Sequence, residues 1–438
     1  MSKRLGLGGL WRSPDFMKMW AGETISFFGQ QVAFLALPLA AALTLNATPA
    51  QMGILGAAKF LPFIFVTLFA GVWIDRQRRR PILILSNLAR AGFLVLIPLF
   101  AALGTLRMVH LYVVAFLVGI FQVVFELAYQ SYLPSLVERE NLVEGNSKLG
   151  ATWSAAEIGG PGLGGILVEL VGAPMAILSN TFGFLISALT LGLIRKPEPR
   201  PSPPEVQVNL GRQIAEGFRI VMGNAYLRAL AGQGAFFNLF YQVIMTVFIL
   251  YATGPLGMGA GVLGWVMATG SIGALLGSMG AGYIAARIGV GRTVLGAMAV
   301  AAALTLLLPV ASGTTIMPKL LLVAAFAGSG FGQAVTNVEV VSLRQTITPN
   351  RLLGRMNASY RFVVYGFIPL GSLIGGALGE LLGLRMTLLI GAIGLVAALL
   401  WIVFSPVPRL FRLPVSADEQ EAQAAGGQGA GPSACAPA

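Results

Sequence analysis

The stretch Gly164-Gly165-Ile-Leu-Val-Glu169-Leu-Val-Gly172 returns later in the chain as Gly375-Gly376-Ala-Leu-Gly-Glu380-Leu-Leu-Gly383. Each shared residue stands 211 positions before its counterpart, since 375 − 164, 380 − 169 and 383 − 172 all give that number. Asn146 and Asn357 keep the same offset. One offset held over such a length predicts two copies of one structural unit with almost no net insertion. In a membrane protein, two parallel repeats are typical of transporters whose substrate site lies between the halves.

The composition predicts a membrane protein, because 56% of the 438 residues are hydrophobic and only 11% are charged. About 20 apolar residues, rising about 1.5 Å each, cross a hydrocarbon core about 30 Å thick. Twelve runs are long enough to do so, near residues 19–44, 51–73, 82–103, 109–133, 150–170, 174–194, 229–252, 260–284, 293–311, 319–343, 359–381 and 386–405. We therefore expect an all-α membrane protein whose twelve transmembrane helices form two pseudo-symmetric bundles of six.

The same runs set the expected domain boundaries. Residues 1–194 form the first bundle and residues 229–413 the second. Between them, residues 195–228 are a proline-rich linker that ends in an amphipathic helix on the inner membrane surface. Residues 414–438 are rich in alanine, glycine and glutamine, and we expect them to be a disordered cytoplasmic tail.

The distribution of the net charge of +12 indicates membrane topology and does not favour a nucleic-acid partner. With Met1 inside, most of the 29 lysines and arginines fall in cytoplasmic segments. Only Arg107, Lys319 and Arg385 fall in the outer loops. This positive-inside bias predicts that both termini lie in the cytoplasm. We expect it to be a monomer.

No sequence feature indicates an enzyme, a metal site or a cofactor. The single cysteine, Cys435, lies in the tail, and the single histidine, His110, stands at an outer helix end without an obvious partner. No GxxxxGK[ST] phosphate-binding loop is present, so a cation gradient is the expected source of energy. The expected partners are protons, a small molecule and the bilayer.

Polar residues form stripes on four of the predicted helices, the first, fourth, seventh and tenth. Within each stripe the spacing is three or four residues, which places the side chains on one helix face. Several of them correspond at the repeat offset, so the four helices present equivalent faces. We expect these faces to line a central cavity that binds substrate, and the alternative is that they only hydrogen-bond neighbouring helices. The candidate cavity residues are Gln30, Gln31, Gln122, Glu126, Tyr129, Asn238, Tyr241, Gln242, Gln333 and Asn337.

Phenylalanines lie on or beside these stripes, among them Phe34 and Phe237. A mixed aromatic and amide lining suits a bulky amphipathic ligand better than a sugar or an ion. The alternative is that these rings face lipid or other helices.

Charged residues inside the spans need partners, because an unpaired charge in a membrane is costly. Glu126 is our main candidate for a carboxylate that binds and releases a proton, with Arg90 and Lys59 as its possible partners. The alternative is a permanent salt bridge between Glu126 and one of these two cations. Glu23 and Glu339 stand near inner helix ends, where simple solvation is expected.

The connection between the second and third spans reads Gly71-Val-Trp-Ile-Asp75-Arg76-Gln-Arg78-Arg79-Arg80-Pro81. This resembles the signature of the major facilitator superfamily, although the family usually has a glycine where this chain has Arg78. The resemblance implies that Gly71, Asp75, Arg76 and Arg79 form a latch that holds one conformation. The second repeat has Ala286 in place of the acid, so any latch belongs to the first half. The alternative is a charged turn that only sets topology.

In the fifth span, Gly160-Pro161-Gly-Leu-Gly164-Gly165 resembles the core of a motif found in exporters of this superfamily. Proline frees a backbone carbonyl and can kink the helix, and glycines let the kinked helix pack closely. The alternative is a tight packing site with no bearing on the direction of transport.

Longer matches point to one branch of the superfamily. They are Trp20-Ala-Gly-Glu-Thr-Ile-Ser26-Phe-Phe-Gly29, Ser342-Leu-Arg-Gln345-Thr-Ile-Thr-Pro349, Gly354-Arg355-Met-Asn357 and Pro369-Leu-Gly371. Together they resemble the enterobactin and macrolide exporters, over about residues 13–406. The resemblance implies a bacterial inner-membrane, proton-driven exporter of drugs, antibiotics or siderophores that works by alternating access. Many relatives carry an acid where this chain has Gln30. The alternatives to an exporter are an importer or facilitator of the same fold and a membrane receptor that has lost transport.

Overall fold

Twelve long helical segments follow one another in the computed structural model, which describes residues 9–75, 77–198, 210–414 and 418. They are α1 (Pro14–Thr44), α2 (Pro49–Asp75), α3 (Arg79–Ala102), α4 (Met108–Leu136), α5 (Leu142–Val171), α6 (Ala173–Gly192), α7 (Ala225–Thr253), α8 (Ala260–Ile288), α9 (Val290–Val310), α10 (Ile316–Thr346), α11 (Leu353–Leu382) and α12 (Leu384–Val403). A further helix, Leu210–Gly223, precedes α7 and is called the linker helix below.

Eleven of the twelve helices in the described ranges are long and apolar enough to cross a membrane. The exception is α5, which spans 30 residues but is rich in glycine and carries Glu157 in its middle. The predicted all-α membrane fold is confirmed.

The two halves repeat at the offset read from the sequence. Five of the six pairs of equivalent helices begin 211 residues apart: at 14 and 225, 49 and 260, 79 and 290, 142 and 353, and 173 and 384. Only the fourth pair departs, with starts at 108 and 316. In each half the first helix packs on the fifth and sixth, and the third helix packs on the fourth and sixth.

The halves meet through α2 against α11 and through α5 against α8. Glycines permit both contacts: a Cβ added to Gly53 would lie 2.9 Å from the Cα of Gly376, and one added to Gly264 would lie 3.1 Å from the Cα of Gly165. These two crossings are repeat equivalents, since 264 − 53 and 376 − 165 both give 211. Both lie near the turns at 45–48, 172, 254–259 and 383, which we call the closed end.

A carboxylate accompanies each crossing. Glu380 Oε2 accepts a hydrogen bond from the backbone N–H of Ala50, at the first turn of α2, over 3.2 Å. The carboxyl carbon of its repeat equivalent, Glu169, lies 3.6 Å from the position of a Cβ on Gly261, at the first turn of α8. Each half therefore places one acid at the positive end of a helix of the other half.

Contacts between the halves reach the middle of the bundle. The Ser271 hydroxyl donates to the backbone carbonyl of Glu157 over 2.9 Å. The rings of Phe63 and Tyr365 meet edge to face with centroids 5.6 Å apart. Beyond this level, Glu126, Gln130 and Asn337 are exposed to solvent. The space between the halves is therefore reached from the end opposite the closed end.

Candidate functional site

Arg90 on α3 is the centre of a buried polar network in the first half. Its side chain is fully buried and lies between two aromatic rings, with its guanidinium carbon 4.1 Å from the Phe125 centroid and 4.0 Å from that of Phe184. The guanidinium donates to Gln122 Oε1, to Asn87 Oδ1 and, over 3.4 Å, to the Ser86 carbonyl. The ring faces and these acceptors fix the plane of the guanidinium.

Gln122 on α4 connects Arg90 to the cavity. Because its carbonyl oxygen faces Arg90, its amide NH₂ group points the other way. That group donates to Glu126 Oε1 over 2.9 Å and to Gln30 Oε1 over 3.3 Å. Gln30 in turn donates to Ser26 over 3.2 Å. Both N–H donors and the carbonyl oxygen of the Gln122 amide are thus used, and its orientation depends on both neighbouring charges.

A second branch runs from Arg90 to Glu23 on α1. Asn87 donates to the Ser187 hydroxyl over 2.8 Å, and Ser187 donates to Glu23 Oε1 over 2.6 Å. Glu23 is fully buried and Glu339 is only 5% exposed, so the expectation of simple solvation was wrong for both. The second carboxyl oxygen of Glu23, Oε2, is buried and has no hydrogen-bond partner among the described residues. We call the connected set the Arg90 network: Glu23, Ser26, Gln30, Asn87, Arg90, Gln122, Glu126 and Ser187.

The network contains one permanent cation and two carboxyl groups, both within electrostatic reach of Arg90. Glu126 is exposed to the cavity, whereas Glu23 is enclosed between α1, α3 and α6. Binding or loss of one proton therefore changes the net charge of the network and the hydrogen bonds that Gln122 can make. Such an arrangement can couple protonation to helix position.

The described residues of the second half, 229–413, form no equivalent network. At the repeat offset, apolar or neutral residues stand where the first half has charge. Counterparts of Glu23, Asn87, Arg90, Glu126 and Ser187 are Gly234, Met298, Ala301, Asn337 and Ala398.

The structure separates the ten predicted cavity residues into groups. Gln30, Gln122 and Glu126 belong to the Arg90 network. Gln31 packs against Gly160 at the α1–α5 contact, and Asn238 donates to the Val364 carbonyl over 2.9 Å at the α7–α11 contact. These last two follow the alternative interpretation, in which polar groups hold neighbouring helices together.

The remaining predicted cavity residues have few polar contacts. The ring of Tyr241 stacks on Phe237 with centroids 5.7 Å apart. The Tyr129 hydroxyl is buried and has no hydrogen-bond partner in the part of the chain that the structure describes. The amide nitrogen of Gln242 lies 3.5 Å from the position of a Cβ on Gly56, on α2. The side chains of Gln333, half-buried, and Asn337, exposed, make no hydrogen bond within the described ranges.

Lys59 and Arg90, the two cations proposed as partners of Glu126, lie in different surroundings. Arg90 reaches Glu126 only through Gln122, and neither forms a salt bridge with it among the described residues. The Lys59 ammonium lies 4.3 Å from the ring centroid of Phe34 and 5.3 Å from that of Phe60.

Glu157 is a candidate carboxylate that the helical stripes of polar residues did not indicate. It lies on α5 three residues before Gly160, is exposed, and is within electrostatic reach of the Tyr241 hydroxyl. Its position near the middle of the predicted span 150–170, where the only other charged residue is Glu169 at the far end, was the signal that could have identified it.

The glycines beside Pro161 allow close contacts on two sides of α5. A Cβ on Gly164 would lie 3.1 Å from the Val32 Cα of α1, and one on Gly165 would lie 3.0 Å from the Gly261 Cα of α8. Pro161 lies inside the helix, which continues to Val171. The motif thus packs α5 against both its own half and the other half.

The predicted latch is only partly described. Gly71 and Asp75 lie in the last turns of α2, and Arg76 lies outside the described residues. The backbone N–H groups of Arg79 and Arg80 donate to the Glu198 carboxylate over 2.6 and 2.9 Å. Glu198 thus stabilises the start of α3 and ties it to the beginning of the linker.

Comparison with known proteins agrees with this architecture. The profile of the family described as transmembrane secretion effectors matches residues 10–424. The multidrug efflux pump Tap of Mycolicibacterium fortuitum is 27% identical over 412 residues, covering 92% of this chain and 98% of that protein. The enterobactin exporter EntS of Salmonella choleraesuis is 24% identical over 430 residues, covering 94% and 98%.

Solved transporter structures share the fold. The nucleoside transporter NupG superposes with a TM-score of 0.70 at 12% identity, covering 89% of this chain and 98% of that one. A bacterial homologue of the iron transporter ferroportin, in an inward-facing state, gives a TM-score of 0.66 at 17% identity, covering 90% and 99%.

Proposed function

Because the chain belongs to the transmembrane secretion effector family of major facilitator transporters, we propose that it exports amphipathic small molecules in exchange for protons. It is a multi-pass membrane transport protein rather than an enzyme. Drugs, antibiotics and siderophores are the proposed substrate classes, and they accord with the efflux pump and the siderophore exporter among its relatives. We place it in the bacterial inner membrane as a monomer, with both termini in the cytoplasm.

The observation that carries the proton-coupling proposal is the Glu126–Gln122–Arg90 chain of hydrogen bonds. Glu126 is exposed in the space between the halves, so a proton can reach it from solvent. Protonation removes the negative charge that orients the amide of Gln122 and that faces the buried guanidinium. Protonation of Glu126 thus changes interactions on both α3 and α4. These helices pack on α6 and α2, respectively.

Alternating access accounts for the rest of the cycle. The halves touch at the closed end and the cavity is reached from the other end, which the positive-inside bias assigns to the cytoplasm. Substrate enters there, and the halves then separate at the glycine crossings so that it leaves outside. We propose that residues 1–194 and 229–413 move as the two units, joined by residues 195–228 and followed by a tail, 414–438.

The latch belongs to the same proposal. Asp75, with Gly71, Arg76 and Arg79, would hold the cytoplasmic ends of α2 and α3 in one state of the cycle. The Glu198 contacts support this role, because they fix the start of α3 at the same connection.

The test is accumulation of ethidium, tetracycline and fluorescein in an efflux-deficient bacterium that expresses the chain. We expect the wild-type protein to lower accumulation of at least one probe, and a protonophore to abolish the effect. Glu126→Gln should raise accumulation to the level of cells without the protein. Glu138→Gln, which removes an exposed carboxylate beyond the end of α4, is the matched control and should behave as wild type.

Two measurements separate the rival functions. Increased accumulation of substrate inside cells would indicate an importer. Binding of substrate without flux in sealed vesicles would indicate a receptor. Normal gradient-driven export by Glu126→Gln, at wild-type abundance in the membrane, would refute the proposed coupling residue.

A further inference from the structure

Lys59 is an intramembrane cation that the coupling scheme does not use. It makes no ion pair or hydrogen bond among the described residues, and its ammonium lies against the rings of Phe34 and Phe60. A charge inside a membrane span without a counter-ion is costly, and such residues are commonly functional.

The side chain lies on the face of α2 that is turned toward the other half. On the same face, Gly56 approaches Ser372 and Gln242, and Phe63 meets Tyr365 of α11. The exposed apolar residues Ile54 and Phe65 occupy the opposite face. Lys59 also reaches Phe34 on α1, which follows Gln30 by one helical turn and is 47% exposed. The ammonium therefore faces the cavity and not the lipid.

Within the described ranges no carboxylate forms an ion pair with Lys59, and this includes both Glu126 and Glu157. The backbone of Lys59 is level with Gly119 on α4, since a Cβ there would lie 2.8 Å from the Lys59 carbonyl oxygen. Glu126 follows Gly119 by seven residues, so it lies about 10 Å farther along the helix axis. Its carboxylate accepts a hydrogen bond from Gln122 instead.

The side-chain amide of Gln242 is a second hydrogen-bond donor near Lys59. The NH₂ group of Gln242 lies beside Gly56, one helical turn before Lys59, and donates no hydrogen bond within the described ranges. An ammonium, an amide donor and the rings of Phe34, Phe60 and Phe63 thus surround one region of the cavity.

We propose that this region binds the acidic group of the substrate, so that the transported molecules are amphipathic organic anions with an aromatic part. Lys59 supplies the charge, Gln242 the amide donor and the phenylalanine rings the apolar contact. This inference rests on the proposed transport function and specifies its substrate class. It removes Lys59 from the proton-coupling candidates.

The test is equilibrium binding of two dyes to the full-length protein in lipid nanodiscs, without an ion gradient. Fluorescein is anionic and tetramethylrhodamine methyl ester is cationic, and both share a xanthene ring system. We expect the wild-type protein to bind fluorescein more tightly. Lys59→Met should weaken fluorescein binding roughly tenfold, as expected for loss of one charge-assisted contact, and should leave the cationic dye unchanged or more tightly bound.

Lys59→Arg keeps the charge and should retain most of the fluorescein affinity. Size-exclusion elution and the thermal unfolding midpoint establish that each variant is folded. Equal affinity of the folded wild-type and Lys59→Met proteins for fluorescein would overturn the proposal, as would an equal loss for both dyes. The assay involves no flux, so its result is independent of the role of Glu126. It can support the proposed binding region even if Glu126 is not the coupling residue, and it can refute the region even if Glu126 is.

Discussion

Glu380 near the end of α11 accepts a hydrogen bond from the backbone N–H of Ala50 at the start of α2, 330 positions earlier in the chain. Its repeat equivalent, Glu169, lies beside Gly259 and Gly261 at the start of α8. The two acids therefore join the halves in both directions across the closed end.

Removing these acids should favour opening of the closed end. A carboxylate at a helix N-terminus typically stabilises by about 1 kcal/mol, which corresponds to a population change of about fivefold. We expect Glu380→Ala to lengthen the distance between spin labels on Leu170→Cys and Leu381→Cys in a Cys435→Ser background. These label sites are repeat equivalents on opposite halves, and both are exposed. An unchanged distance distribution in Glu169→Ala with Glu380→Ala would show that the acids do not hold this end.

A side chain at the glycine crossing should act as a wedge. A Cβ on Gly53 would lie 2.7 Å from the Ser372 carbonyl oxygen and 2.9 Å from the Gly376 Cα, so Gly53→Val must push α2 from α11. We expect slower transport in vesicles and a longer Leu170–Leu381 label distance. Gly92→Val is the control, because nothing lies within 4 Å of a Cβ at that position. Equal transport rates for the two variants would contradict the assigned role of the crossing.

Arg90 and Glu23 should depend on each other for stability. Removing one charge of a buried pair leaves the other uncompensated, at a typical cost of about 3–5 kcal/mol. We expect Arg90→Met to lower the thermal unfolding midpoint in detergent strongly, and Glu23→Gln to lower it less, because an amide can still accept from Ser187. In the double variant, part of the loss caused by Arg90→Met should be recovered. Strictly additive losses would mean that the two groups are not coupled through Asn87 and Ser187.

The latch should affect the rate of transport rather than affinity. Asp75→Asn removes the acid that the second repeat lacks, so we expect slower transport with unchanged dye binding in nanodiscs. Asp15→Asn provides a comparison at the same membrane face, because Asp15 accepts from the backbone of Arg195 and Lys196. If Asp75→Asn transports at the wild-type rate, the residue only sets topology.

The sequence predicted the helices and the repeat more fully than the site. Helical spacing placed Gln30, Gln122 and Glu126 on facing stripes, and the structure joins them by hydrogen bonds. Spacing within one helix could not reveal that Glu23 is enclosed, because its burial depends on Ser187 of α6, far away in the chain. Nor could it show that Gln122 stands between Arg90 and Glu126, since this depends on side-chain reach across two packed helices.

Features that the duplication preserved in both halves should tolerate substitution better than features present in one half only. Loss of one acid at the closed end leaves a working copy in the other half, so single changes there should often be tolerated. The Arg90 network exists once, and its counterparts in the second half are Gly234, Ala301 and Asn337. In a library of random substitutions selected for activity, intolerant membrane-embedded polar positions should therefore concentrate before residue 195, although both halves share one ancestry.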